Sequence, residues 1–233
     1  MERNDVSLRS LRRTNLREEA VEVLRAAVLG GDLAPGSIHS AVSLAERLGV
    51  SPTPVREAML DLAKSGLVEV LPNRGFRVTV VDDRDLDEIY ELRVMLEIPA
   101  LEKVVELASD EDLVGLGRPL NELESAAFRR DVPAFLLADR SFHLELLALA
   151  GNQRLVRIVA ELRDQARITG LHSLAAAGAL DATAAEHRPI LDAVRARELA
   201  TAQRLMAEHL EHTRRDWAIG TELGDEVVAE GAS

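Results

Sequence analysis

The sequence predicts a mainly α protein in two units: a small N-terminal unit of three helices and a β-hairpin, then a larger antiparallel all-helical bundle. Three observations carry this. Aromatic residues make up only 3% of the chain while hydrophobic residues reach 47%, so the core is aliphatic and Ala-rich, a palette that favours helices over a β-sandwich. Apolar residues recur at helical spacing along most of the chain, and the period switches to two only between Leu67 and Val80. Charge also divides the molecule. Residues 1–80 hold 11 basic and 10 acidic side chains, the remainder 17 and 30, so the net charge of −12 belongs to the second unit. A near-neutral unit beside an acidic one implies two different partners.

Residues 1–15 are polar and rich in arginine (Arg3, Arg9, Arg12, Arg13) without an apolar period, and read as a mobile arm. From Leu16, the positions Val21, Leu24, Val28 and Leu29 follow helical spacing, until Gly30-Gly31-Asp32 stops the helix and Pro35-Gly36 turns the chain. A short helix over about Val42–Leu48 is closed by Gly49. Val50-Ser51-Pro52-Thr53-Pro54 opens a third helix, which runs to about Lys64-Ser65. Ser51 or Thr53 can cap it, and prolines in a first turn remove only amides that lack helical partners. Leu67–Leu71 and Phe76–Val80 then read as strands around the tight turn Pro72-Asn73-Arg74-Gly75, with Phe76, Val78 and Val80 on one face. Three helices and a hairpin with a basic tip make a winged helix-turn-helix over residues 16–81.

Asp82-Asp83-Arg84-Asp85 reads as a charged hinge, and residues 82–219 as helices over about 84–108, 110–129, 132–149, 152–176, 182–196 and 198–218. Residues 220–233 are small, polar and acidic, and are expected to fray. There is no cysteine, which excludes disulfides, thiolate metal sites and a cysteine nucleophile. No apolar run approaches the roughly 18 residues of a membrane span, and the N-terminus lacks a signal-peptide core. The expectation is a cytoplasmic protein without a membrane partner.

A winged helix offers the N-terminal end of its third helix to the major groove of double-stranded DNA. Arg56, one turn in, can fork onto a guanine or clamp a phosphate; Ser51 and Thr53 can hydrogen-bond a phosphate or a base. Asn73 and Arg74 at the wing tip are placed to reach the adjacent minor groove or backbone. The run from Leu44 to Ala58, with Gly66-Leu67-Val68 and Pro72–Gly75 after it, resembles the GntR family of regulators. The helical region resembles the ligand-binding FCD domain of its FadR-like branch, at Glu91–Glu97, at Asp139-Arg140-Ser141-Phe142-His143 and at Gly151-Asn152. Together the resemblance spans roughly residues 16–217. It implies a homodimer on a palindromic operator, with a small-molecule effector bound in the helical domain and governing DNA affinity. Two positions depart from the family's pattern: Pro52 stands where arginine is usual, and Val42 where a charged residue is usual. Arginines of the N-terminal arm are candidates to compensate.

Asp139 and His143, spaced i, i+4, share one face of a helix, which suits two ligands of one cation. The resemblance places Asp139, His143, His187 and His209 together as metal ligands, with His212 the substitute if the last helix is shifted in register. His39 and His172 read as ordinary histidines. Imidazole-rich sites favour a divalent transition metal, zinc or nickel foremost. Three neutral imidazoles and one carboxylate leave such an ion with uncompensated positive charge, and four protein ligands leave an octahedral ion two positions for a small carboxylate effector. Arg93 and Asn152, both at motif positions, can bind the effector's other oxygens; Arg93 can equally pair with Glu97 at i+4. A metal-dependent enzyme acting on a small organic acid is the competing reading, and the sequence offers no general base beside the ligands. A regulator that senses the metal itself is another. The sequence favours a regulator over an enzyme.

Overall fold

The computed structural model describes residues 14–177 and 180–230, with side chains from 16 to 168 and from 180 to 215; the arginines of the N-terminal arm fall outside the described residues, and the side chain of His172 outside the described side chains. In the first unit, α1 (Thr14–Leu29) is followed by β1 (Ile38–His39), α2 (Ala41–Leu48), α3 (Pro52–Lys64), β2 (Val68–Leu71) and β3 (Gly75–Val78). Ala20, Leu24 and Val28 of α1 close over Val55, Ala58, Met59 and Leu62 of α3, and each set repeats at three or four residues, as one buried helix face requires. Ser40 starts α2 by accepting a hydrogen bond from the Ser43 amide at 3.0 Å, and Gly49 ends it in the left-handed region at φ 68°.

The sheet is antiparallel with the order β1-β3-β2, so the hairpin gains a third strand that sequence alone did not indicate. Two residues are too few to display an alternation. Gly75 makes that third strand possible: at φ 112° its backbone passes so close to β1 that a Cβ would stand 2.3 Å from the His39 carbonyl oxygen. The expected strand to Val80 ends at Val78, although Thr79 still pairs with the residues just before β2. There Thr79 Oγ1 donates to the Gly66 carbonyl at 2.7 Å and the Thr79 amide to Leu67 at 3.1 Å, leaving Val80 exposed.

The second unit contains α4 (Asp83–Leu107), α5 (Asp110–Gly115), α6 (Gly117–Arg129), α7 (Val132–Ala148), α8 (Gln153–Ala177), α9 (Leu180–Arg195) and α10 (Leu199–Glu230). Three differences from the sequence reading have simple causes. Asp82–Asp85 is not an extended hinge but the capping box of α4, in which Asp82 Oδ1 accepts from the Asp85 amide at 2.8 Å and Asp85 Oδ2 from the Asp82 amide at 3.1 Å. The single helix expected over 110–129 divides at Leu116, three residues before Pro119, whose ring crowds the carbonyl four residues earlier and favours a break there. Helix α10 continues past Gly220, where the ordered chain was expected to end; one glycine costs a helix only about 1 kcal/mol.

The two units share apolar core. Leu162, Ala166 and Ile168 of α8, Leu86 and Ile89 of α4 and Phe135 of α7 belong to the same cluster as Leu24, Met59 and Leu62. A second cluster, with Phe142, Leu146, Ile190, Leu191, Met206 and Leu210, joins α7, α9 and α10 below a polar centre.

Candidate functional site

Two places in the molecule gather the chemistry-bearing side chains. The first is the exposed edge of α3 and the tip of the hairpin. Because Val55, Ala58, Met59 and Leu62 turn inward, Thr53 and Arg56 are left in solvent beside Ser51 at the helix start, and all three are exposed. Ser51 occupies the cap position, but its side chain makes no capping bond and neither does Thr53's; Pro52 at the first helical position removes one amide that would need one. Asn73 and Arg74 are exposed at the turn, with Asn73 in the left-handed region at φ 61° and the Arg74 amide closing the turn on Leu71 at 3.0 Å. Arg77, also exposed, is engaged by Glu69 across the hairpin at 2.5 Å. Pro52 and Val42, the two departures from the family pattern, are exposed as well.

The second place is buried. Asp139 and His143 on α7, His187 on α9 and His209 on α10 turn inward, and one donor atom from each lies within 4.8 Å of the others. All four are almost completely shielded from solvent. The rings at 187 and 209 are fixed from behind: His187 Nδ1–H donates to the Thr183 carbonyl at 2.9 Å, and His209 Nδ1–H to Glu186 Oε2 at 2.8 Å. That tautomer leaves each Nε2 a bare lone pair. His187 Nε2 nonetheless stands 3.0 Å from Asp139 Oδ1 and 3.1 Å from His143 Nε2, while His209 Nε2 has no hydrogen-bond partner among the described residues. Imidazoles oriented by outer hydrogen bonds, with inner lone pairs crowded on a carboxylate, form a donor set that fits a divalent transition metal.

Electrostatics hold the donors in the protonation states a metal needs. Burial above all, helped by Arg163, holds the His143 ring well below the ordinary imidazole range. Burial likewise carries His209 down to about 4, against the opposing bond to Glu186. Burial would raise the Asp139 carboxyl, but the guanidiniums of Arg167 and Arg163 outweigh it and keep Asp139 ionised, well below the usual carboxylate range.

Behind the four donors lies a layer that the sequence reading missed. Arg163 of α8 bridges Asp139 Oδ2 at 3.1 Å and Glu97 Oε2 at 3.2 Å, Arg167 also holds Asp139 Oδ2, and Arg93 donates from Nε to Glu97 Oε1 at 2.7 Å. With Asp164 beside Arg167, three buried guanidiniums here face three buried carboxylates. A signal existed in the sequence: Arg163 and Arg167 recur at four residues on the same helix side as Val159 and Ala166, and a charge on an apolar stripe demands a buried partner.

Two sequence expectations are corrected here. Asn152 does not join the buried group. It is exposed, and its Oδ1 accepts from the amides of Arg154 at 3.1 Å and Leu155 at 3.2 Å, so it is the N-cap of α8. Arg93 adopts the second of its two readings, the i+4 pair with Glu97. Of the two histidines offered for the last helix, His209 is buried with Asp139, His143 and His187, whereas His212 is half exposed on the outer side of Glu186.

Fold and sites together define a class: a winged-helix DNA-binding regulator with a separate helical domain that encloses a polar centre. Comparison with known proteins makes the class a family. Residues 16–78 match the bacterial regulatory proteins of the gntR family and residues 88–212 match the FCD domain. The chain belongs to the GntR family of transcriptional regulators, in its FadR-like, FCD-bearing branch. A helix-turn-helix transcriptional regulator from an unstable DNA locus of Streptomyces ambofaciens is 36% identical over 202 residues, covering 85% of this chain and 83% of that one. The regulator YdhC of Bacillus subtilis is 28% identical over 190 residues, 81% of this chain and 85% of its own. Among solved structures, Escherichia coli McbR/YncC superposes with a TM-score of 0.78 at 29% identity, covering 87% of this chain and 96% of that one. The matched families and relatives are transcriptional regulators, not enzymes.

Proposed function

We propose that this regulator binds a palindromic operator as a homodimer and that its DNA affinity is set by what occupies the buried His-Asp group. A divalent transition ion, zinc or nickel by its imidazole-rich donors, is held by Asp139, His143, His187 and His209. The observation that carries this reading is the convergence of inner ligand atoms: His187 Nε2 at 3.0 Å from Asp139 Oδ1 and 3.1 Å from His143 Nε2, with its Nδ1 already committed to Thr183. With Nδ1–H given to Thr183, the His187 Nε2 lone pair faces the Asp139 carboxylate in a dry interior, and a shared cation converts that repulsion into coordination. When bound, the ion supplies a Lewis-acid anchor for an anionic ligand. Arg163 and Arg167 behind Asp139 place guanidinium donors next to the group, which supports a small carboxylate or hydroxy acid as effector. Thr53, Arg56 and Ser51 meet the major groove, and Asn73 and Arg74 the flanking groove or backbone.

Metal analysis of the purified full chain tests the site. About one equivalent of zinc or nickel per chain is expected, removable by chelator and restored by reloading, with His187→Ala losing it. A chain that binds neither ion, or a His187→Ala variant with unchanged content, overturns the assignment.

A further inference from the structure

Helix α8 touches both functional places. One side carries Arg163 and Arg167 onto Asp139. The residues between them face the DNA-binding unit. Asp164, fully buried, is held by Arg25 of α1 and by Arg140 of α7, the latter at 2.8 Å. Gln165 Nε2 donates to the Ser65 carbonyl at 2.9 Å. Ser65 is the C-cap of α3, so Gln165 satisfies a carbonyl that the recognition helix cannot bond itself. Gly66 makes room for this contact, since a Cβ there would stand 2.4 Å from Gln165 Nε2, on a backbone already at φ 75°.

We propose that α8 is the coupling element: it reads the charge state of the buried group through Arg163 and Arg167 and transmits it through Asp164–Arg25 and Gln165–Ser65 to α1 and the recognition helix α3. The relay rests on the reading of Asp139, His143, His187 and His209 as a ligand site. Its logic is competition among charges. Asp139 Oδ2 anchors Arg163 and Arg167, while Arg167 also feels the neighbouring Asp164. A cation drawing on Asp139 weakens its hold on Arg167, so Arg167 is pulled towards Asp164, and there it competes with Arg25. Because α8 is continuous from Gln153 to Ala177, a shift at residue 167 also moves Gln165 against Ser65. A two-state adjustment of this kind needs only a modest difference in interaction energy between the loaded and unloaded states.

The test compares wild type with the double variant Arg25→Met/Gln165→Ala, both full length, by hydrogen exchange with and without Zn(II) alone as the probe. Arg25→Met does not strand a buried charge, because Asp164 keeps Arg140. Thermal melts verify that the variant is folded. In wild type, Zn(II) is expected to slow exchange in α7 to α9 and also to change it in residues 16–29 and 60–71, by roughly the five-fold or more typical of coupled sites. In the variant, the change in α7 to α9 persists while that in residues 16–29 and 60–71 falls below about two-fold. An undiminished change in those segments of the variant overturns the relay and leaves the metal site standing. No effect of Zn(II), nor of Ni(II) in a parallel run, in α7 to α9 of wild type overturns the metal site itself, and the relay with it.

Discussion

Replacing Asp139 with asparagine isolates the charge at the centre of the buried group, since the two side chains have nearly the same shape. In the chelator-treated protein the carboxylate accepts from Arg163 at 3.1 Å and from Arg167, and both guanidiniums are essentially excluded from solvent. Removing one partner of a buried ion pair costs about 3–5 kcal/mol, mostly because the remaining charge is stranded. Here stranding is incomplete: Arg163 keeps Glu97 at 3.2 Å and Arg167 keeps the field of Asp164. The expected cost therefore lies near the lower bound, about 3 kcal/mol. For a chain of this length each kcal/mol moves Tm by about 2–4 °C, so Asp139→Asn is expected to melt about 6–12 °C below wild type. Zinc adds a second arm. At a hundred-fold excess over its dissociation constant, an ion bound only to the folded state contributes about 2.7 kcal/mol. Wild type should therefore rise by about 5–11 °C on loading, while Asp139→Asn rises by much less. Circular dichroism melts on chelated and loaded samples read both arms. A metal-free Asp139→Asn that melts within about 2 °C of wild type refutes the charge accounting.

Three further outcomes follow from the same geometry. Arg56→Ala should weaken operator binding by about 1–3 kcal/mol and relax sequence preference, while Arg74→Ala should weaken all duplexes evenly and lower the salt slope by about one, both read by anisotropy titrations across salt concentrations. Asn152→Ala should cost about 1 kcal/mol by removing a helix cap and leave metal content unchanged, and His212→Ala should leave metal content unchanged too; metal loss in either returns that residue to the site. In chelated protein, His209 is neutral down to about 4, chiefly through burial, whereas the unfolded chain takes up its proton near 6.5. The folded value is the lower one, so this contribution is complete above pH 6.5 and is lost as pH falls from there towards about 4, a slope that denaturant titrations at stepped pH should show steeper for wild type than for His209→Gln, in which buried His143 still contributes.

What the sequence made legible divides along physical lines. Local periodicity found α3 and the hairpin, because the inward stripe Val55, Ala58, Met59, Leu62 and the turn Pro72–Gly75 are complete within a few residues. The exposed residues Thr53, Arg56, Asn73 and Arg74 followed directly from that stripe. The four inward side chains of the candidate site needed more than period. Asp139 and His143 share a turn, but His187 and His209 came from the family resemblance, and only the packing of α9 and α10 places His209 inside and His212 outside Glu186. The arginine layer was invisible to local reading, since Arg163 meets Glu97 across 66 residues of sequence and Asp139 across 24. Asn152 was misplaced because an N-cap and a ligand-binding asparagine look alike until its Oδ1 is seen against the amides of Arg154 and Leu155.

The central claim, that occupancy of the buried group sets DNA affinity, is tested most directly by anisotropy titration on a palindromic duplex selected from genomic fragments. The titration uses zinc-loaded wild type, chelated wild type, and His187→Ala under both conditions, at one salt concentration. The account predicts that loading changes wild-type affinity by roughly 5–150-fold and leaves His187→Ala unmoved. Equal affinity of loaded and chelated wild type, or an equal response in His187→Ala, contradicts it.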